Sequence, residues 1–195
     1  IYQGEELGMT NCKCTSFDEF KDIEIRNAYK EYVNTGILSK DQMLSFVNAV
    51  GRDNARFPMQ WDDTVNAGFT TGTPWIKVNE NYSEINAARQ VGDEHSVFSY
   101  YKELIRLRHT LPVMVYGIYE VVDIEHPKVF AYTRTLEGEK LFVVCNFTEE
   151  ILEYKLSQGF TGTEEVINSN YEDSRIHGDS IQLRPYEAKV FFKHS

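Results

Sequence analysis

The segment from Gly51 to Asp63 has the highest density of side chains that could bind or act on a ligand. It reads Gly51-Arg52-Asp53-Asn54-Ala55-Arg56-Phe57-Pro58-Met59-Gln60-Trp61-Asp62-Asp63. Arg52 and Arg56 each present a planar fork of hydrogen-bond donors, and the rings of Phe57 and Trp61 present flat apolar faces. A sugar needs directed hydrogen bonds to its hydroxyls and apolar surface against its C–H faces. The segment therefore predicts sugar binding, with Arg52 and Arg56 as candidate substrate-binding residues.

The same residues also allow a purely structural interpretation. Ion pairs between Arg52 and Asp53, and between Arg56 and Asp62, would staple a long loop without touching a ligand. Composition alone leaves the two interpretations equally open.

The other polar residues indicate less chemistry. Glu5 and Glu6 follow an apolar run that reads as a strand, where neighbouring side chains point to opposite faces, so we expect structural roles for both. The sequence contains no Gly-rich phosphate loop and no nucleophile elbow. Its five histidines are scattered without metal-ligand spacing, at His95, His109, His126, His177 and His194. We predict no metal site and no cofactor.

Helices must position the polar segment. Capping-box spacing predicts one helix that begins after Ser16 and ends at Gly36, and a second that begins after Ser39 and ends at Gly51. Residues 51–95 lack periodicity, and so long a loop is typically functional or disordered. Its many aromatic side chains favour an ordered, functional loop.

A third helix follows this loop, and strands follow the helix. Ser96 is the predicted cap, and Pro112 lies just beyond the helix end. The apolar side chains with helical spacing are Val97, Phe98, Tyr101, Leu104, Ile105 and Leu107. The predicted strands are Ile118–Asp123, Val129–Thr135, Lys140–Phe147, Ile151–Leu156, Glu164–Ile167, Ser180–Leu183 and Glu187–Phe192, with a hairpin at 136–139. This pattern predicts an antiparallel sandwich, with a boundary near residues 111–117.

Charge and cysteine usage restrict the partners and the compartment. The net charge of −10 disfavours nucleic acid and anionic membranes. The sequence shows no apolar run of about 18 residues and no signal-peptide pattern. The odd cysteine count, with Cys12, Cys14 and Cys145, favours plain thiols and a cytoplasmic location. Because the chain opens with Ile1 inside an apparent element, we expect it to be cut from a longer protein.

The residues themselves resemble a known family. The run Ile1-Tyr2-Gln3-Gly4-Glu5-Glu6-Leu7-Gly8-Met9-Thr10-Asn11 resembles the end of the eighth barrel strand and the following loop in the α-amylase superfamily, glycoside hydrolase family 13. Residues 52–63, 66–75 and 79–86 are similar to the oligo-1,6-glucosidase group, which includes dextran glucosidase, trehalose-6-phosphate hydrolase and sucrose isomerase. The likeness covers essentially the whole chain. Phe57 departs from the Thr common in the family, which we expect to affect loop packing but not chemistry.

The resemblance implies a retaining mechanism with an Asp nucleophile, a Glu general acid/base and a second Asp that stabilises the transition state. In the family these carboxylates follow barrel strands that would precede residue 1, so it implies no catalytic residue in this chain. The family counterpart of Arg52 reaches the sugar in subsite −1. Arg56 fits more readily a role in holding the loop.

The resemblance also implies the fold and the function. As cut, the chain would be α+β: residues 1–112 would supply the last strand, the eighth βα loop and helices of a (β/α)8 barrel, and residues 113–195 an antiparallel β-sandwich. The complete protein would be an exo-acting α-glucosidase that hydrolyses α-1,6 bonds of isomalto-oligosaccharides, and this chain would pack against the N-terminal part of the barrel. The alternatives are a trehalose-6-phosphate hydrolase or sucrose isomerase of the same group, a non-catalytic scaffold with the same fold, or a sugar-binding sandwich.

Overall fold

The computed structural model describes residues 1–156 and 159–194, and the chain divides into two compact units, Ile1–Tyr101 and Lys102–Ser195. The α-helices are α1 (Ile23–Ala28), α2 (Lys40–Val50), α3 (Ala87–Gln90), α4 (Val97–Thr110) and α5 (Val113–Tyr116). Short 3-10 helices lie at Glu5–Leu7, Phe17–Glu19, Arg52–Ala55, Val65–Gly68 and Glu80–Ser83, and a π-helix at Tyr29–Val33. The family resemblance and the alternating pattern predicted this mixture of helices and strands.

The beginning of the chain is a turn. Tyr2 and Gly4 donate their amides to the carboxylates of Glu5 and Glu6, at 3.0 and 2.9 Å, and the chain then forms the short helix Glu5–Leu7. These contacts agree with the structural roles expected for both glutamates, although the two residues lie on a 3-10 helix and not at the end of a strand. A strand needs a hydrogen-bonded neighbour, and no described residue pairs with this segment as one.

The first predicted helix is wrong in its length. Ser16 and Glu19 do form the predicted capping box, but it caps only the turn Phe17–Glu19, and α1 begins afresh after Asp22. The interruption is caused by Asp53, which lies 31 residues after Asp22 in the sequence. The amides of Lys21 and Asp22 donate to the buried carboxylate of Asp53, at 2.7 and 3.0 Å, so they are not available to continue the helix.

The second predicted helix is confirmed. Ser39 and Gln42 form a capping box at its start, and the amide of Gly51 closes it on the carbonyl of Val47 at 2.7 Å. One face of α2 packs into a buried apolar cluster, here called the loop core. Its members are Cys12, Cys14, Phe20, Ile25, Met43, Val47, Phe57 and Ile76.

The long segment 51–95 is held by polar contacts more than by regular structure. Asn79 Nδ2 donates to the carbonyl of Thr10 at 3.0 Å, and Asn86 Nδ2 donates to the carbonyl of Tyr82 at 2.8 Å. Gln60 is fully buried, and its backbone carbonyl accepts from the amide of Ala87 at 2.9 Å. These hydrogen bonds hold the segment in place, although its sequence has no periodicity that would predict regular structure.

Helix α4 has the predicted start. Ser96 Oγ accepts from the amide of Ser99 at 3.1 Å, and the helix runs over Val97–Thr110. The predicted apolar side is correct for Leu107, which is buried, and wrong for Val97 and Ile105, which are 42% and 41% exposed. Helical spacing identifies one face of a helix, but it does not show how much of that face is covered by neighbouring residues.

The second unit contains two antiparallel sheets. The strands are β1 (Ile118–Val122), β2 (Val129–Leu136), β3 (Glu139–Asn146), β4 (Leu152–Lys155), β5 (Glu165–Ser169), β6 (Ile176–His177), β7 (Ser180–Leu183) and β8 (Ala188–His194). One sheet has the order β1-β2-β3-β8-β5 and the other β4-β7-β6. The predicted hairpin between β2 and β3 is present, with Glu137 and Gly138 both at positive φ, as a tight two-residue hairpin turn requires.

Strand β3 is buried on both faces. Phe142 and Val144 pack in the cluster that also includes Tyr154, Ile181 and Leu183 from the smaller sheet. On the other face, Leu141 and Val143 pack with Val113 of α5 and with Val190 and Phe192 of β8. The predicted alternation therefore located the strand but did not distinguish a core face from a solvent face.

Candidate functional site

The 3-10 turn Arg52–Ala55 follows directly from the end of α2 and carries the candidate residues. Within it, Asp53 is fully buried. The Asp53 carboxylate accepts the amides of Lys21 and Asp22 and, at 3.2 Å, Arg56 Nη1. The turn is therefore fixed to the segment that leads into α1.

Arg56 lies between two carboxylates. Its Nη1 atom is 2.6 Å from Asp22 Oδ2 and 3.2 Å from Asp53 Oδ1. The hydrogen bonds to Asp22 and then to Asp53 raise the pKa of Arg56. These contacts fit the role of holding the loop, and the assignment of Arg56 to substrate binding stays a prediction.

Asp22 is a buried residue whose carboxylate contacts both the start of α1 and Arg56. One oxygen caps α1 by accepting the amide of Glu24 at 2.7 Å, and the other accepts Arg56 Nη1. Burial works to raise the pKa of Asp22, but the amide of Glu24 and the guanidinium of Arg56 outweigh it, and the pKa is lowered. Asp22 is therefore ionised at neutral pH.

Arg52 is the accessible guanidinium of the site. Its side chain is 59% exposed, its Nη1 atom lies 2.7 Å from Glu24 Oε1, and its Nε atom lies 3.7 Å from Asp22 Oδ2. Arg52 is thus held at one edge and open to solvent elsewhere, which suits a residue that binds a ligand.

The ion pairs predicted within the loop are wrong in their partners. Among the described residues, Arg52 pairs with Glu24 and Asp22 in place of Asp53. Asp62, predicted to pair with Arg56, instead accepts the amide of Thr64 at 2.8 Å, and this turn lowers the pKa of Asp62 through the hydroxyl and the amide of Thr64. The predicted partners were residues close to the arginines in sequence, whereas the fold places the carboxylates at the start of α1 next to Arg52.

Sequence reasoning missed Asp22 and Glu24 as members of the site. They precede Arg52 by 30 and 28 residues, and no local pattern links them to it. A usable signal was present: Asp22 is a good N-cap residue directly before the Ile23–Ala28 helix. That signal would have predicted the helix break, though not the pairing with Arg52.

The two aromatic rings predicted as sugar faces differ in accessibility. Phe57 is 4% exposed and lies in the loop core, so its ring is not available to a ligand. Trp61 is 52% exposed and remains available. Phe57 thus contributes its ring to the loop core.

A left-handed turn follows Trp61. Asn66, Ala67 and Gly68 have φ values of 58°, 57° and 65°. The carbonyl of Ala67 accepts the amides of Trp61 and Asp62, at 2.9 and 3.2 Å, and so ties the turn to the polar segment. The left-handed conformation costs free energy for residues other than glycine, and it persists where contacts with the surrounding structure hold it in place.

Within 1–156 and 159–194, no cluster of three or more His, Cys, Asp or Glu side chains could hold a metal ion. Cys12 and Cys14 are buried free thiols, and burial raises the pKa of Cys14 to about 12. Across the same ranges, no helix has both the length and the apolar character needed to cross a bilayer.

An arginine-bearing loop between helices, followed by an antiparallel two-sheet unit, is the arrangement expected for the end of an α-amylase-type catalytic domain and its C-terminal domain. The family profile described as alpha amylase, catalytic domain, matches residues 1–117, and that described as the alpha-amylase SusG C-terminal domain matches residues 129–190. The chain belongs to the α-amylase family.

Within that family, the similar curated proteins include oligo-1,6-glucosidases and a trehalose-6-phosphate hydrolase. The oligo-1,6-glucosidase of Heyndrickxia coagulans is 48% identical over 193 residues, which is 98% of this chain and 34% of that protein. The trehalose-6-phosphate hydrolase of Bacillus subtilis (strain 168) is 41% identical over 194 residues, again 98% of this chain and 34% of that protein. The chain spans about a third of the length of these relatives.

A solved structure gives the same picture. The isomaltulose synthase SmuA from Protaminobacter rubrum matches with a TM-score of 0.93 and 44% identity, covering 98% of this chain and 35% of that one. At this similarity the fold of the described residues is that of the corresponding third of the synthase.

Proposed function

We propose that the chain is part of a retaining, exo-acting α-glucosidase that hydrolyses α-1,6 bonds of isomalto-oligosaccharides. The main support is the environment of Arg52. Its guanidinium is accessible, contacts the carboxylates of Asp22 and Glu24, and lies on a loop of a chain that belongs to the α-amylase family. The identity of 48% to an oligo-1,6-glucosidase supports the substrate class. The nucleophile and the acid/base would come from residues outside this chain.

Arg52 would bind the non-reducing sugar in subsite −1. A guanidinium keeps its charge at every relevant pH and presents several N–H groups in a fixed plane, so it can bind two sugar oxygens at once. The contacts with Glu24 and Asp22 restrict the side chain before the sugar arrives, and pre-ordering of this kind lowers the entropic cost of binding. The chain would thus contribute orientation and binding, not bond cleavage.

The domain arrangement is also a proposal. Residues 1–112 would complete a (β/α)8 barrel and residues 113–195 would form the C-terminal domain. Exposed apolar side chains support packing against further protein, because apolar surface that gathers into large patches marks sites of contact with other protein. On the first unit they include Ile23, Phe46, Val50, Val65 and Trp75. The free thiols support a cytoplasmic location.

The test is a kinetic comparison in the complete protein. Wild type should hydrolyse isomaltose, and Arg52→Ala should lower kcat/KM by about 100- to 1000-fold, because two charge-assisted hydrogen bonds are lost. Arg26→Ala, which removes an exposed guanidinium on α1, is the matched control and should keep wild-type kinetics. Wild-type kinetics in Arg52→Ala would overturn the assignment, and turnover of isomaltose by the 195-residue chain alone would overturn the division of roles.

The relatives favour a second candidate substrate class. Because a trehalose-6-phosphate hydrolase and an isomaltulose synthase match at 41% and 44% identity, the same assay should include trehalose 6-phosphate and sucrose. Preference for either would replace the isomaltose assignment while leaving the role of Arg52. If the complete protein lacks the upstream Asp, Glu and Asp and turns over none of the three, it is a non-catalytic scaffold.

A further inference from the structure

Asp22 contacts three groups of the first unit through one carboxylate. It caps α1 through the amide of Glu24 at 2.7 Å, binds Arg56 Nη1 at 2.6 Å and faces Arg52 Nε at 3.7 Å. Its side chain is 2% exposed. Because the helix cap and Arg56 both hold its carboxylate, Asp22 provides a well-anchored negative charge beside the more exposed Arg52.

The two carboxylates that contact Arg52 are not equivalent. The side chain of Glu24 is 66% exposed, and an ion pair between two exposed groups is weak and screened by salt. Asp22 is buried, where the local dielectric constant is lower and the same charge acts more strongly. Orientation of the guanidinium therefore depends mainly on Asp22, even though the contact with Glu24 is shorter.

The nearby carboxylate of Asp53 offers a comparison within the same cluster. Asp53 is as buried as Asp22 and also binds Arg56, but its hydrogen bonds go to Lys21, Asp22 and Arg56. Among the ion pairs of the described residues, Arg52 is joined to Asp22 and Glu24. The two buried aspartates thus share a structural role, and only Asp22 also faces the accessible arginine.

We propose that Asp22 is a positioning residue for Arg52: it orients the guanidinium so that the terminal nitrogens meet the sugar bound in the active site. This inference rests on the proposed function of Arg52. Asp22 does not touch substrate in this role, and its effect on turnover passes through Arg52. A small displacement of a substrate-orienting group is enough to lower turnover by about 100-fold.

The test is a double-variant cycle in the complete protein, with isomaltose as the probe. Asp22→Asn keeps the shape of the side chain and an oxygen for the helix cap while removing the charge. Alone, it should lower kcat/KM by about 10- to 100-fold. In an Arg52→Ala background it should have less than about a twofold effect, since the group it orients is already absent.

Two variants separate positioning from stability. Asp53→Asn removes the charge of the buried comparison residue, which binds Arg56 but not Arg52, so it should lower the melting temperature at least as much as Asp22→Asn while lowering kcat/KM less. Asp18→Asn, at an exposed position in the preceding turn, should change neither kinetics nor melting temperature. If Asp22→Asn does not fold, Asp22→Ser retains a capping oxygen without the charge and takes its place in the cycle.

The outcomes distinguish this inference from the proposal beneath it. Wild-type kinetics in Arg52→Ala overturn the proposed function of Arg52. Two results overturn only the positioning role while Arg52→Ala still lowers kcat/KM. In the first, Asp22→Asn lowers kcat/KM by the same factor in wild type and in Arg52→Ala. In the second, Asp22→Asn leaves the kcat/KM of wild type unchanged. Loss from Asp22→Asn that disappears in the Arg52→Ala background supports it.

Discussion

Replacing Phe57 with Thr, the residue that the family resemblance leads us to expect at this position, should destabilise this chain. Phe57 is 4% exposed and lies in the loop core with Cys12, Cys14 and Met43 among its members. Truncating a buried Phe to Ala costs about 3–5 kcal/mol through lost burial and the cavity that remains. Threonine refills part of the cavity but brings a hydroxyl into apolar surroundings, which costs about 1–3 kcal/mol when it finds no partner. We expect a net loss of about 3 kcal/mol.

The chain offers a specific probe for this loss. It contains two tryptophans, Trp61 and Trp75, and both lie in the first unit. Urea unfolding of the 195-residue chain followed by tryptophan fluorescence therefore reports on the unit that contains Phe57. A loss of about 3 kcal/mol corresponds to a shift of the midpoint by about 1–3 M urea at the slopes usual for small proteins.

Two further variants make the comparison decisive. Phe57→Leu keeps an apolar side chain and should cost about 1 kcal/mol. Phe46→Thr makes the same chemical change on α2 at a position that is 60% exposed, and it should fall within about 0.5 kcal/mol of wild type. If Phe57→Thr unfolds at the same urea concentration as Phe46→Thr, Phe57 does not stabilise the loop core and the reasoning fails.

Three further predictions concern other parts of the chain. Glu187→Gln should destabilise the second unit by about 3–5 kcal/mol, because it leaves the buried ammonium of Lys189, 3.1 Å away, without its counter-charge. Burial opposes the shift, but Arg184 and Lys189 lower the pKa of Glu187, so the stabilisation is present at neutral pH and is lost as the pH falls through the folded-state pKa. Gly68→Ala should destabilise by about 1–3 kcal/mol, because φ is +65° and the new methyl group would lie 2.6 Å from the Asp62 carboxylate. The buried thiol of Cys14, with a pKa raised to about 12, should react with a thiol reagent at pH 8 only after unfolding.

Each of these predictions has its own control. In wild type, stability should fall on acidification more steeply than in Glu187→Gln, and parallel pH profiles would contradict the role of the ion pair. Gly72→Ala, where the nearest atom would be 3.7 Å away, should leave stability near wild type, and an equal loss at both glycines would contradict the steric argument. Rapid labelling of Cys14 in the native chain would show that the loop core opens readily.

Local patterns in the sequence predicted the elements whose bonds are local. The capping boxes at Ser16 and Ser39 and the turn at Glu137 and Gly138 involve residues within a few positions of each other, and all three are present. The two-residue strand β6 was missed because so short a segment has no period to detect.

The errors at the candidate site share a long-range cause. Asp53 takes the amides of Lys21 and Asp22 and so ends a helix that the local pattern would have continued. The partners of Arg52 likewise come from α1, far away in sequence. Bonds of this kind are decided by the folded arrangement, and a single sequence carries no period or spacing that reveals them.

The contacts between Asp22 and the two arginines also close a loop of chain. Residues 23–51 lie between Asp22 and Arg52, and the ion pair between these two residues holds the two ends of the segment close together. At the far part of the excursion, Gly36 has a φ of +78° and open space around it. Because loop-closure entropy grows only slowly with length, this position suits the genetic insertion of a reporter domain or an affinity tag, with the helices on either side and the arginine cluster left intact.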